Sequence, residues 1–140
     1  MDNKFIWTSE YSVNVAEIDE QHKEFLNIIK SLLELENQEF FTDTEAAVKV
    51  AQLTDYATYH LSTEEDLFKI SGYKDAPEHI DAHNLFRQKS KHFVSQIRDN
   101  NKNKKEVIKE VSEFAGNWMV HHILNMDKKY SEFFNEKGIK

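Results

Sequence analysis

Residues 42–72 read TDTEAAVKVAQLTDYATYHLSTEEDLFKISG, a stretch with no glycine or proline before its last residue. Thr42-Asp43-Thr44-Glu45 is a capping-box start, because a Thr side chain can accept from the backbone three residues on while Glu reaches back. Gly72 is a stop, since glycine takes the left-handed conformation that closes a helix. The stretch predicts a helix over 43–70, roughly seven turns long. Its apolar residues Val50, Leu53, Ala57, Leu67 and Phe68 fall on one stripe.

The rest of the chain reads in the same way. Asp19, a capping residue type, precedes a stripe that runs through Phe25, Leu26, Ile29, Leu32 and Leu33, with Ile18 on the same face. Asp75-Ala76-Pro77-Glu78 offers a cap, a first-turn proline and a box-completing Glu. Asn103 with Glu106 opens a last helix marked by Val107, Val111, Phe114 and Trp118. The helices expected are 19–36, 43–70, 76–99 and 104–134, preceded by an irregular arm from Met1 to Glu17. Short connections make this an all-α, up-down-up-down antiparallel four-helix bundle. The 140 residues suit one domain, and three Gly and one Pro argue against a turn-rich sandwich or barrel and against a phosphate-binding glycine loop.

Composition removes other classes. Without cysteine there is no disulfide, thiolate site or Cys nucleophile, so a metal would have to use His and carboxylate. Eighteen basic against 25 acidic residues give a net charge of −7, which argues against nucleic acid. No signal-like or membrane-length apolar run occurs, which predicts a soluble, cytoplasmic protein with no membrane association. No protein partner is evident. The initial Met1 and the ending soon after the last helix argue against a module cut from a larger sensor.

The polar residues that fall on the apolar stripes carry the chemistry. His22 lies about 40° from Ile18 and about 60° from Phe25. His60 and Glu64, one turn apart, occupy the middle of the second stripe, where an unpaired carboxylate is costly. His79 and His83 share the face of Phe86, Phe93 and Ile97, and His122 sits near the centre of the stripe of Val111, Ala115 and Trp118. One histidine on an apolar face is usually a satisfied core residue. Five, drawn from four helices and joined by a buried carboxylate, point instead to one shared metal site. Asp127 follows His122 by five residues, about 140° round a regular helix, and can join it only if the helix is distorted or the site broad. His121 falls toward the rim. His92, about 140° from His79, faces solvent, as do Glu65 and Asp66. The aromatics Phe25, Phe68, Phe86, Phe93 and Trp118 are expected to be core.

Five imidazoles and two carboxylates exceed the four ligands of a structural zinc. If two six-coordinate ions shared Glu64, Asp127 and a solvent oxygen, five histidines would leave one terminal position open for a small ligand. Imidazole suits iron, although ligand type alone leaves zinc, copper and manganese open.

In this ordered set the chain resembles the hemerythrin family, in particular its bacterial branch. The residues concerned are Trp7, Ile18-Asp19-Glu20-Gln21-His22, His60-Leu61-Ser62-Thr63-Glu64-Glu65, His79-Ile80-Asp81-Ala82-His83, and Trp118-Met119-Val120-His121-His122-Ile123 with Asp127 and Tyr130. The resemblance implies a non-haem di-iron centre. His79, His83 and His122 would bind one iron, His22 and His60 the other, and Glu64 and Asp127 would bridge, with dioxygen taken up at the two-histidine iron. It further implies Phe25, Leu61, Met119 and Ile123 as the oxygen pocket. The implied function is reversible dioxygen binding for storage, delivery or sensing, without catalysis. The alternative is a di-iron enzyme on the same site: an oxidase, a peroxidase, a ferroxidase or a nitric oxide scavenger.

Overall fold

The computed structural model describes residues 5–140. After a short 3₁₀ turn at Ser9–Tyr11, four long helices follow: α1 (Ala16–Asn37), α2 (Asp43–Ser71), α3 (Ala76–Arg98) and α4 (Lys104–His122). A π-wound turn at Ile123–Asp127 then leads into a short α5 (Lys128–Glu136). Helix α1 packs against α2 and α4, α2 against α3, and α3 against α4, with no strand among the described residues. Connections of a few residues and sequential packing give the antiparallel bundle.

The helix ends show which signals the backbone uses. The Thr42 side chain accepts from the Glu45 N–H at 3.0 Å, while Glu45 accepts from the Thr42 N–H at 3.1 Å, so the box is complete. Gly72 closes α2 with φ 73°, in the left-handed region. Asn103 caps α4 by accepting from the Glu106 N–H at 3.0 Å. Two expected caps are absent. Helix α1 starts at Ala16, ahead of Asp19, and Asp19 instead accepts from the Val13 N–H at 2.9 Å and the Ser12 hydroxyl at 2.6 Å. Its carboxylate thereby fastens the arm to the first turn of α1, where the helix dipole favours negative charge. Asp75 precedes α3 without a side-chain capping bond, so no box forms there, although Pro77 sits in the first turn as expected. Removing the Thr42 cap with Thr42→Ala should cost about 1 kcal/mol and lower the thermal midpoint by about 4 °C. Calorimetry checks this, and an unchanged midpoint would show that the box contributes nothing.

The apolar stripes close on one another. Phe25, Phe86, Phe93, Ile18, Leu26, Ile29, Leu32 and Leu53 are buried, and Tyr130 and Phe134 of α5 complete the core. At Gly116 a Cβ would stand 2.3 Å from the Phe5 ring, so only glycine lets the arm pack this closely on α4. The candidate histidines lie early in α1, late in α2, early in α3 and at the end of α4. In an antiparallel bundle those four places meet at one end. The other end is filled by residues such as Leu35, Val50, Ile97 and Ile108, all buried.

Candidate metal centre

Helical periodicity turns His22, His60, Glu64, His79 and His83 inward, and all five are buried. Asp127 needs more. On a regular helix it would be rotated about 140° from His122, but Ile123–Asp127 is wound as a π turn, whose wider loop brings residue i+5 back beneath residue i. Asp127 Oδ1 thus lies 3.0 Å from His122 Nε2. A π turn is uncommon, and here it serves to align a carboxylate with a histidine.

The donor atoms form two groups: Glu64, His79, His83, His122 and Asp127 in one, and His22, His60, Glu64 and Asp127 in the other. The carboxylates belong to both because each divides its oxygens. Glu64 Oε1 lies 3.0 Å from His83 Nε2 and 3.6 Å from His79 Nε2, while Oε2 lies 3.7 Å from His22 Nε2 and 3.6 Å from His60 Nε2. Asp127 Oδ1 lies 2.9 Å from His79 Nε2, and Oδ2 lies 3.0 Å from His22 Nε2.

Protein donors alone do not satisfy this arrangement. The Nε2 atoms of His79 and His83 approach that of His122 to 2.9 and 3.2 Å. Three imidazole nitrogens cannot each donate to the others. His22 Nδ1 and Nε2, His60 Nε2, Glu64 Oε1 and both Asp127 oxygens are buried without hydrogen-bond partners. Lone pairs converging in a dry interior are costly unless a cation lies among them, so the donor set fits metal.

Charge bears the same mark. Burial alone would push His22 and His79 down, but the carboxylates of Asp127 and Glu64 close beside them outweigh it and hold each at about 9. His60 is pushed down to about 4, chiefly by burial. Burial works against ionised Glu64, yet His60 and the nearby imidazoles of His22, His79 and His83 hold it well below the usual range. Burial and Glu64 likewise oppose an ionised Asp127, and His122 and His22 overcome them. Tyr130 is driven well above its ordinary value by burial and by the charges of Asp127 and Glu64.

The surrounding contacts contain what the sequence reading missed. The Tyr130 hydroxyl donates to Glu64 Oε2 at 2.5 Å. Gln21 Oε1 lies 2.8 Å from His60 Nδ1. Glu65, expected to face solvent, is a correction: its Oε2 lies 2.8 Å from His83 Nδ1, and Arg87 grips both its oxygens. The helical wheel gives Glu65 a direction away from the α2 stripe but cannot show that α3 passes there. Arg87, one turn after His83, was the available signal. Trp118 stacks on His122 with ring centroids 4.3 Å apart and planes 11° from parallel.

The four expected pocket residues, Phe25, Leu61, Met119 and Ile123, are fully buried, and the Phe25 ring lies 6.1 Å from that of His60. Asp66, His121 and His92 are exposed as expected, and His121 Nδ1 bonds the Asn117 carbonyl oxygen at 2.7 Å. His92→Ala should leave metal content and visible absorption unchanged. Metal loss in that variant would mean that α3 presents a different face.

Comparison with known proteins agrees in kind. The family profile described as the hemerythrin HHE cation binding domain matches residues 13–134. A bacteriohemerythrin of Clostridium acetobutylicum is 30% identical over 128 residues, covering 90% of this chain and 98% of that protein. A hemerythrin-like protein of Naegleria gruberi is 28% identical over 126 residues, covering 90% of each chain. Among solved structures, a wild-type hemerythrin crystal structure superposes with a TM-score of 0.77 at 23% identity, over 90% of this chain and 94% of that one.

Proposed function

The chain belongs to the hemerythrin family, whose members bind dioxygen reversibly at a non-haem di-iron site, and we propose that His22, His60, Glu64, His79, His83, His122 and Asp127 hold two irons here for that purpose. The division of the Glu64 and Asp127 oxygens between two histidine sets carries this reading. Each carboxylate is placed to bridge. Two bound irons would supply the electrons that dioxygen binding requires, and their imidazole-rich, weakly anionic surroundings favour binding over substrate oxidation.

The protein's own residues do the remaining work. Phe25, Leu61, Met119 and Ile123 form an apolar lining around the two-histidine side, where they exclude water and protons. Tyr130 donates to Glu64 and orients it. Because burial and the two carboxylates raise the Tyr130 phenol well above its ordinary value, it holds its proton instead of delivering it. Tyr130 is therefore not a ready acid of the kind an oxidase or peroxidase would use beside its bound ligand. An open groove lined by Phe114, Trp118, His121 and Met126 borders His122. No helix among the described residues is long and apolar enough to cross a membrane, and a cytoplasmic location belongs to the same proposal.

Anaerobic titration of metal-free protein with ferrous iron tests the assignment. Uptake should end at two per chain and fall to about one or less in His22→Ala. Undiminished uptake by that variant would remove His22 from the ligand set.

A further inference from the structure

The two histidine sets differ in what stands behind them. His83 Nδ1 faces the Glu65 carboxylate at 2.8 Å. Arg87 holds that carboxylate with a fork, Nη1 to Oε2 at 2.7 Å and Nη2 to Oε1 at 2.9 Å, and Asn84 accepts from Arg87 Nη1 at 3.0 Å. Behind the other set stands a neutral amide. Gln21 Oε1 lies 2.8 Å from His60 Nδ1, and Gln21 Nε2 donates to Thr63 Oγ1 at 3.3 Å. The Thr63 hydroxyl donates to the Tyr59 carbonyl at 3.0 Å, which leaves its lone pair for Gln21 and fixes which way the amide points. His60 therefore carries its proton on Nδ1 and presents a bare Nε2. His22 Nδ1, the remaining outer nitrogen of this set, is buried without a partner.

A carboxylate behind a ligating imidazole makes the ring a stronger donor, whereas an amide orients it without adding charge. Resting on the paired-iron reading, we propose that Glu65 and Gln21 are positioning residues that make the two metal positions unequal. Glu65, clamped by Arg87, tightens the His79, His83 and His122 position, and Gln21 leaves the His22 and His60 position the more labile. Sequence neighbours thus divide the labour: Glu64 joins the two metals, and Glu65 distinguishes them.

The test follows release of ferrous iron from the anaerobically loaded full chain to an excess of a coloured ferrous chelator. The wild-type protein should release its iron in two phases of equal size. Glu65→Gln keeps an acceptor for the His83 Nδ1–H but removes the charge, and should speed the slow phase roughly 10- to 100-fold while leaving the fast phase within about twofold. Gln21→Glu should slow the fast phase. Glu65 is partly exposed, so the metal-free Glu65→Gln protein should keep its thermal midpoint, and a purely structural role would lower that midpoint without changing release. Release of both irons in one phase, or wild-type release from Glu65→Gln, would overturn the inference. Uptake of fewer than two irons by wild-type protein would instead overturn the paired-iron reading on which it rests.

Discussion

Glu64→Ala protein should take up at most one iron per chain and lose the visible absorption of the paired centre. Glu64 is fully buried and is the only residue of α2 whose atoms face both histidine sets. Its removal takes away one bridge and half of the negative charge that the two carboxylates place among five imidazoles, and it leaves the Tyr130 hydroxyl without its acceptor. The loss of metal affinity should exceed about 100-fold, the upper end for residues that merely orient ligands. Glu64→Gln separates the causes, because it fills the space and can accept from Tyr130 but cannot supply the charge. Metal analysis and spectra check both variants. Wild-type iron content in Glu64→Ala would defeat the assignment.

The second large effect is on stability after iron is stripped. Metal binding only to the folded state stabilises it by about 4 kcal/mol at a free concentration one thousand times the dissociation constant, which raises the midpoint by on the order of 10 °C. The metal-free protein should also acquire a pH profile of its own. His22 and His79 titrate at about 9 when folded against 6.5 when unfolded, so the folded state binds more protons between those values. Their contribution is complete below 6.5 and is lost as pH rises to 9, on the order of 3 kcal/mol for each group taken alone. His60 has the opposite sign: with a folded value of about 4, it costs stability as pH falls from 6.5 to 4. Glu64 and Asp127, held below their ordinary range, add to the loss in acid. Metal-free stability should therefore peak near pH 6.5 and decline on both sides. In the iron-loaded protein the imidazoles carry metal in place of protons, and the alkaline decline should largely vanish. Denaturant titrations across pH measure this, and a metal-free protein as stable at pH 9 as at 6.5 would contradict the carboxylate–histidine pairing.

The bundle was legible because each long helix carries an apolar stripe and three of the helix ends carry a working cap, at Thr42, Gly72 and Asn103. Asp19 and Asp75 misled because a capping residue states only a local preference. Asp19 was drawn to the arm at Ser12 and Val13, and the backbone at Asp75 does not present its side chain to the helix. Five histidines and Glu64 could be placed from the 100° period alone. Asp127 could not, because its position depends on a π turn that breaks that period. Glu65 and Gln21 escaped for another reason: a wheel describes one helix, and their partners lie on neighbouring ones.

The most direct test of the central claim is the visible spectrum of anaerobically reduced, iron-loaded protein, recorded before dioxygen, after dioxygen and after purging with argon. The account predicts two irons per chain and an absorption that appears with dioxygen and disappears on purging through repeated cycles. Two irons that oxidise once, with no absorption that purging reverses, would contradict reversible binding and move the site to oxidative catalysis.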